Sequence, residues 1–174
     1  MTETTTIRVA CRRDVPAILA IYNAAVQEPA SAYEDAPHTL AQREEWFDHF
    51  MHRNFPIVVA EHGGAVVGWG SLGAHQERTG FRFTGTVALY VADTHRLRGI
   101  GGQLLKTLLE EGRKRKLHAV VAAIDSRNEA SLELHAKHDF IEAGVFHEVG
   151  CKFGEWRDVV YLQRLLDDRP GPGA

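Results

Sequence analysis

An α/β fold, a mixed sheet with helices packed on its faces, follows from three features of the chain. Short runs rich in valine, isoleucine and alanine alternate with longer stretches whose apolar residues recur at helical spacing. In order they read β-α-α-β-β-β-α-β-α-β-β, the layering expected of a sheet covered by helices. Between two of the strand-like runs, His62-Gly63-Gly64 signals a hairpin turn.

Each element has its own reason. Residues 5–10 read as a first strand. A helix over 14–26 follows from Val15, Ile18, Leu19, Tyr22 and Val26, with Pro16 tolerated in its first turn. Two prolines and small residues make 28–38 a loop. Thr39 is placed to cap a second helix carrying Glu44, Trp46, Phe47 and Phe50. Strands are expected at 55–61 and 65–74, a polar loop at 75–80 and a long strand at 81–91. The strongest helix is 100–116, where Ile100, Leu104, Leu105, Leu108 and Leu109 share one face. A buried-type strand at 119–124, a helix at 128–138 and strands at 141–149 and 159–166 complete the domain. One domain is expected over 1–166, with Pro170-Gly171-Pro172-Gly173 marking 167–174 as a loose tail.

The composition limits the function classes. With 174 residues the chain can bury a substantial core. Its net charge of −3 gives no global support to nucleic-acid binding. The cluster Arg113-Lys114-Arg115-Lys116 fits a solvated helix end that complements the helix dipole. Two cysteines, Cys11 and Cys151, without CxxC spacing give no disulfide framework and no metal site, and fit a reducing compartment. No apolar run approaches the ~18 residues that span a bilayer, and the first six residues carry no apolar signal region. No membrane partner is expected, and the cytoplasm is the expected location.

The chemistry concentrates near the middle. Val87-Ala88-Leu89-Tyr90-Val91 reads as a strand that empties into a loop holding His95, Arg96 and Arg98. Gly99, Gly101 and Gly102 follow, and then a leucine-faced helix. Glycines let a backbone approach a ligand with its N–H groups outward, and a helix start adds unpaired donors and partial positive charge. That construction suits a phosphate or pyrophosphate. A P-loop needs Lys-Ser/Thr after its second glycine, but Gly102-Gln103 stands here. A dinucleotide fingerprint needs a wider third glycine and an early position in the chain, and neither holds. What remains is Arg/Gln-x-x-Gly-x-Gly/Ala, met by Arg96-Leu97-Arg98-Gly99-Ile100-Gly101.

That pattern resembles the acetyl-CoA loop of the GNAT superfamily of N-acetyltransferases. The strand Leu89-Tyr90-Val91 before it, the segment Asp125-Ser126-Arg127-Asn128 after the next strand, and Leu134-His135-Ala136-Lys137-His138-Asp139-Phe140 fit the same family. The chain is similar to the phosphinothricin acetyltransferase branch and its amino-acid N-acyltransferase relatives, over roughly 7–166. Tyr22-Asn23, Val67-Gly68-Trp69-Gly70 and Gly154-Glu155-Trp156-Arg157-Asp158-Val159 carry the branch likeness.

The resemblance implies a mostly antiparallel sheet, splayed where acetyl-CoA binds, and an acetyl transfer to a primary amine of a small molecule. Leu89, Tyr90 and Val91 would offer strand-edge groups to the pantetheine arm. Arg96, Leu97, Arg98, Gly99, Ile100, Gly101 and Gly102 would form the pyrophosphate loop, and Asn128 would bond the pantetheine or sulfur region. An edge strand can pair with the arm's amides as with a neighbouring strand, and an N–H there can polarise the thioester carbonyl.

For the proton, the branch has a glutamate where this chain has Thr86, which can hold a water but cannot act as a base near neutral pH. Phe140 stands where a tyrosine acid is frequent. His135 matches a histidine of the branch, so His135 and Thr86 are the catalytic candidates, with His75 or Glu77 as further routes through water. Tyr33, Arg78 and Phe83 are the acceptor-binding candidates, the guanidinium suiting a carboxylate or phosphinate. The loop 152–156 is expected to help close that pocket, while Trp156 and Asp158 are expected to be structural. The relatives pair as homodimers, and a homodimer is expected here. A protein or peptide N-acetyltransferase and a non-catalytic acyl-CoA-binding module stay open as alternatives.

Overall fold

A computed structural model describes residues 4–172. The first three residues and the last two of the tail lie outside the described residues. Eleven regular elements follow the expected order: β1 (Thr6–Val9), α1 (Val15–Val26), α2 (Leu40–His52), β2 (Ile57–His62), β3 (Ala65–Ala74), β4 (Thr84–Val91), α3 (Ile100–Lys114), β5 (Ala119–Asp125), α4 (Glu129–Ala136), β6 (Ile141–Lys152) and β7 (Glu155–Leu165). The strands form one seven-stranded sheet in the order β1-β2-β3-β4-β5-β7-β6. Every neighbouring pair is antiparallel except β4 with β5.

Alternation along the strands divides the core into two layers. On one face Val58, Ala60, Leu72, Val87, Val120, Ala122 and Leu162 meet the leucine face of α3. On the other, Ile57, Val59 and Trp69 meet Ile18, Tyr22 and Val26 of α1 and Phe47 of α2. Leu104, Leu105 and Leu108 are fully buried, each worth roughly 1.5–3 kcal/mol relative to exposure. Thr39 caps α2 as expected, its hydroxyl accepting from the Gln42 amide. Before α1, a 3-10 turn over Arg12–Asp14 places Asp14 against Arg8 at 2.7 and 2.9 Å. Those guanidinium bonds, opposed by burial, hold the Asp14 carboxyl down to about 2. No helix among the described residues is long and apolar enough to cross a membrane.

The three largest differences from the expected boundaries lie in β4, β6 and β7. The long strand expected from 81 starts at Thr84, because a 3-10 turn occupies Thr79–Phe81. The loop expected around 152–156 is a tight hairpin turn. Phe153 and Gly154 both have positive φ, the conformation that matches the twist of the flanking strands, and Cys151 and Trp156 already pair across the ladder. The charges of Glu155, Arg157 and Asp158 hid the start of β7 from an apolar-pattern reading. Trp156, expected to be structural, is 66% exposed, because strand alternation turns Arg157 inward instead. After β7, Asp167 bonds His118 at 2.7 Å and Arg169 donates to the Lys116 carbonyl at 2.6 Å.

Candidate functional site

Among the described residues, the parallel pair β4–β5 is the seam of the sheet that fails to close. Thr84, Gly85 and Thr86 pair with Ala119, Val120 and Val121, and there the ladder stops. Beyond that fork, 87–91 and 122–125 run apart without a shared ladder, leaving backbone groups of both strands without a strand partner on that side. The gap is a cavity of about 180 Å³ lined by Val87, Ala88, Leu89 and Tyr90 on one side and Ala122, Ala123, Ile124 and Asp125 on the other. Residues 30–33 of the α1–α2 loop and Asn128, Ser131 and His135 close its remaining sides.

The glycine loop follows β4 at the open end of the fork. A 3-10 turn over Asp93–His95 leads into Leu97 and Gly99, both with positive φ, and Gly99 caps α3. The first amides of α3 have no upstream carbonyl in the helix, so they face outward as donors. A β-carbon at Gly101 would stand 3.1 Å from Leu134, and one at Gly102 would stand 3.2 Å from His138. Glycine at both positions therefore lets the start of α3 lie close against α4.

The side chains of this segment divide by role. Leu97 is 99% exposed, whereas Ile100 is in the core, so Ile100 can serve a ligand only through its amide. Arg96 bonds the Val91 carbonyl and pairs with Asp93 and Glu28, which ties the loop to the end of α1. Arg98 is exposed. Tyr90 packs its ring at 4.9 Å from Trp69 and 5.4 Å from Tyr22, and burial pushes its hydroxyl up. Leu89 and Val91 pack against the α3 core. Leu89 and Tyr90 thus line the cleft while the side chains of all three residues anchor the strand.

Asn128 is engaged at both ends of its amide. Oδ1 accepts from the Ser131 amide at 3.1 Å, capping α4, and Nδ2 donates to the Ala30 carbonyl at 2.9 Å. These bonds tie the cleft wall to the α1–α2 loop. His135 is buried in α4. Its Nδ1 lies 2.8 Å from the Ser131 carbonyl, an acceptor only, so Nδ1 carries the proton. Nε2 is then a buried acceptor without a protein partner. Burial holds the imidazole below its ordinary range, favouring the neutral ring. Phe140 stacks edge-on against it at 5.0 Å.

Thr86 sits at the fork and shares a 3.1 Å hydrogen bond with Nδ1 of His75. Tyr33 lies on the cleft wall, its hydroxyl donating to Asp125 at 2.7 Å. The other two acceptor candidates stand apart. Arg78 is an exposed residue before the Thr79–Phe81 turn and lines no described cavity. Phe83 lies outside the cleft, its ring 4.5 Å from the Arg82 guanidinium and 5.2 Å from that of Arg169.

Several residues that shape the site were not singled out by the sequence reading. Asp125 and Arg157 form a bidentate pair at 2.7 and 2.9 Å with both side chains almost fully buried. Burial works against the Asp125 charge, but Arg157, the Arg127 amide and Tyr33 outweigh it and hold the carboxyl below its usual range. Lys152 is also buried, donating to the carbonyls of Val26, Ala32 and Glu34 at 2.7, 2.6 and 2.8 Å. Arg43 is buried over the Tyr22 ring at 3.9 Å and reaches His38 at 3.2 Å. The available signals were a strand ending in an acid, Asp125, and a basic residue inside the Gly154-Glu155-Trp156-Arg157 run. Neither identifies its partner without the fold.

A sheet forked beside a glycine loop at a helix start defines an acyltransferase of the acetyltransferase (GNAT) family, and this chain belongs to it; the family's profile matches residues 18–140. Among its relatives, an L-methionine sulfoximine/L-methionine sulfone acetyltransferase of Pseudomonas paraeruginosa is 43% identical over 92% of this chain and 94% of that protein. An L-amino acid N-acyltransferase of Escherichia coli is 38% identical over 97% of this chain and 98% of its own length. In structure, the chain superposes on a phosphinothricin acetyltransferase of Sinorhizobium meliloti in complex with AcCoA. The TM-score is 0.91 at 30% identity, over 99% of this chain and 95% of that one.

Proposed function

We propose that this protein transfers an acetyl group from acetyl-CoA to the primary amine of a small amino acid or an analogue such as methionine sulfoximine or phosphinothricin. The observation that carries the reading is the fork after Thr86 and Val121, opening toward the glycine loop and the start of α3. Unpaired groups of β4 beyond Thr86 can take the amides of an extended pantetheine arm as a strand would. Amides from Leu97 to Gly102 and the α3 dipole suit the pyrophosphate. His135 offers the buried Nε2 acceptor to the bound arm, and Asn128, Tyr33 and Arg96 hold the walls in place.

The amine must reach the thioester carbonyl deprotonated. Holding the two reactants side by side at the fork converts a bimolecular encounter into an effectively unimolecular step, worth up to about 7–11 kcal/mol of the barrier. Relatives that act on methionine sulfoximine and on L-amino acids support a small acceptor over a peptide chain.

Pairing of two copies is part of the same proposal. Phe146, Val149, Phe153 and Trp156 are between 54% and 66% exposed along β6, β7 and their turn, apolar surface that a second copy can bury. Light scattering on the purified protein tests it, and a monomer at micromolar concentration rejects it.

Thiol release from acetyl-CoA is the direct test of the activity, with L-methionine sulfoximine, L-methionine sulfone and phosphinothricin as acceptors. Turnover of at least one is expected. Tight binding of acetyl-CoA with no thiol release from any amine would replace the enzyme with a binding module.

A further inference from the structure

We propose that His75 is the group that takes the proton from the incoming amine, and that the acceptor occupies a second cavity on the Thr86 side of the fork. This rests on the acetyl-transfer reading above and supplies the base that Thr86 cannot be.

The second cavity measures about 430 Å³, larger than the cleft itself. His75 stands at one end, after β3, and Val121 of β5 and Tyr161 and Gln163 of β7 form its floor. Val121 pairs with Thr86 on one side and with Gln163 on the other, so these residues share a face of the sheet. Ala123, which lines the first cavity, pairs with Tyr161, which lines the second. Val121 and Ala123 are two residues apart on one strand and on one face, about 7 Å. An acyl group in the fork and an amine over Val121 are therefore neighbours.

The hydrogen bond of His75 sets its chemistry. When Nδ1 donates to the Thr86 hydroxyl oxygen, Nε2 carries the lone pair, and the same bond persists after Nε2 is protonated. Thr86 is thus a positioning residue that fits both charge states of the ring. Phe81 packs edge-on at 5.8 Å and restrains the imidazole. No charged side chain lines the cavity, where Tyr161 is the other titratable group. Glu77, two residues along, is paired with Arg53 at 2.7 Å. Gln76, Gln163 and Tyr161 offer neutral donors, which suit the carboxylate and the sulfone- or phosphinate-type oxygens of a small amino acid.

The step balances without another reagent. Nε2 of His75 accepts one proton from the substrate ammonium. The freed nitrogen lone pair forms the C–N bond to the thioester carbonyl as the C–S bond breaks. The second nitrogen proton leaves with the thiolate as the thiol, and the imidazolium returns its proton to solvent.

The test uses the full chain with acetyl-CoA and L-methionine sulfoximine. H75Q should lower kcat about 100-fold or more while its calorimetric affinity for acetyl-CoA stays that of wild type. The acidic limb of the kcat/KM profile should vanish in H75Q, and free imidazole should restore part of the activity of H75A. T86V should lose less than H75Q, and T86S should recover most of the loss. An H75Q enzyme within threefold of wild type, with its acidic limb intact, overturns the proposal. Loss of acetyl-CoA affinity in H75Q, or no imidazole rescue of H75A, assigns the residue a structural role and also overturns it. A wild-type protein that binds no acetyl-CoA, or turns over no amine, overturns instead the functional reading on which the proposal rests.

Discussion

Replacing Arg157 with methionine is a demanding test of how the cleft is held. The substitution removes two charge-assisted hydrogen bonds, at 2.7 and 2.9 Å, from a carboxylate that is almost fully buried. Asp125 keeps the Tyr33 hydroxyl and the Arg127 amide but loses its counter-charge. Breaking a buried pair by removing one partner costs about 3–5 kcal/mol. At about 2–4 °C per kcal/mol for a domain of this size, the melting temperature should fall by about 6–20 °C at pH 7. The size of the loss depends on pH. In wild type the Asp125 carboxyl is held below its usual range, so its contribution is present at neutral pH and is lost as pH falls through that lowered value. In R157M burial dominates and raises the carboxyl, so acidification neutralises the unpaired charge and the gap to wild type narrows. The double variant D125N/R157M should be more stable than R157M, because no buried charge is left alone. Circular dichroism melts at pH 5 and pH 7 decide the matter. An R157M melting temperature within 2 °C of wild type at pH 7, or a double variant no better than the single, would refute the reasoning.

Four other outcomes follow from the same geometry. Leu104→Ala, at a fully buried position on α3, should cost about 2–5 kcal/mol in chemical denaturation. Gly99→Ala, at a positive φ with open space around it, should cost only the strain of about 1–2 kcal/mol, and a larger loss by the same measurement would mean an unrecognised contact. Lys152→Met leaves the Val26, Ala32 and Glu34 carbonyls without their shared donor, so stability should fall by roughly 3 kcal/mol and hydrogen exchange should speed up across residues 27–38. Asp14 is held down to about 2, so its stabilisation is full above about pH 4 and disappears between about pH 4 and pH 2; acid unfolding of D14N should lack that component.

The sequence made the architecture legible where periodicity and local chemistry agreed. The leucine stripe of α3, the Thr39 cap and the hairpin at Gly63 and Gly64 all need only neighbours in the chain. The glycine loop was legible for the same reason: it is a local device for exposing amides. Long-range pairings were not. Asp125 and Arg157 are 32 residues apart, and Lys152 reaches carbonyls 118 to 126 residues away. Such charged residues read as surface until the fold buries them. Arg78 was nominated by likeness to the branch and Phe83 as a wall across the splayed strands; Arg78 stands exposed before the Thr79–Phe81 turn and Phe83 beside the guanidinium groups of Arg82 and Arg169, and neither lines the two cavities. Tyr33 was expected on the acceptor side and stands on the wall of the fork, because Asp125 holds its hydroxyl there.

The claim on which all of this depends is that the forked strands and the glycine loop together receive acetyl-CoA. Hydrogen exchange with and without saturating acetyl-CoA tests it directly. The account predicts slowed exchange in 87–91 of β4 and in 97–102 of the glycine loop, with β1 unchanged. Protection confined to other segments, or none at saturation, would contradict it.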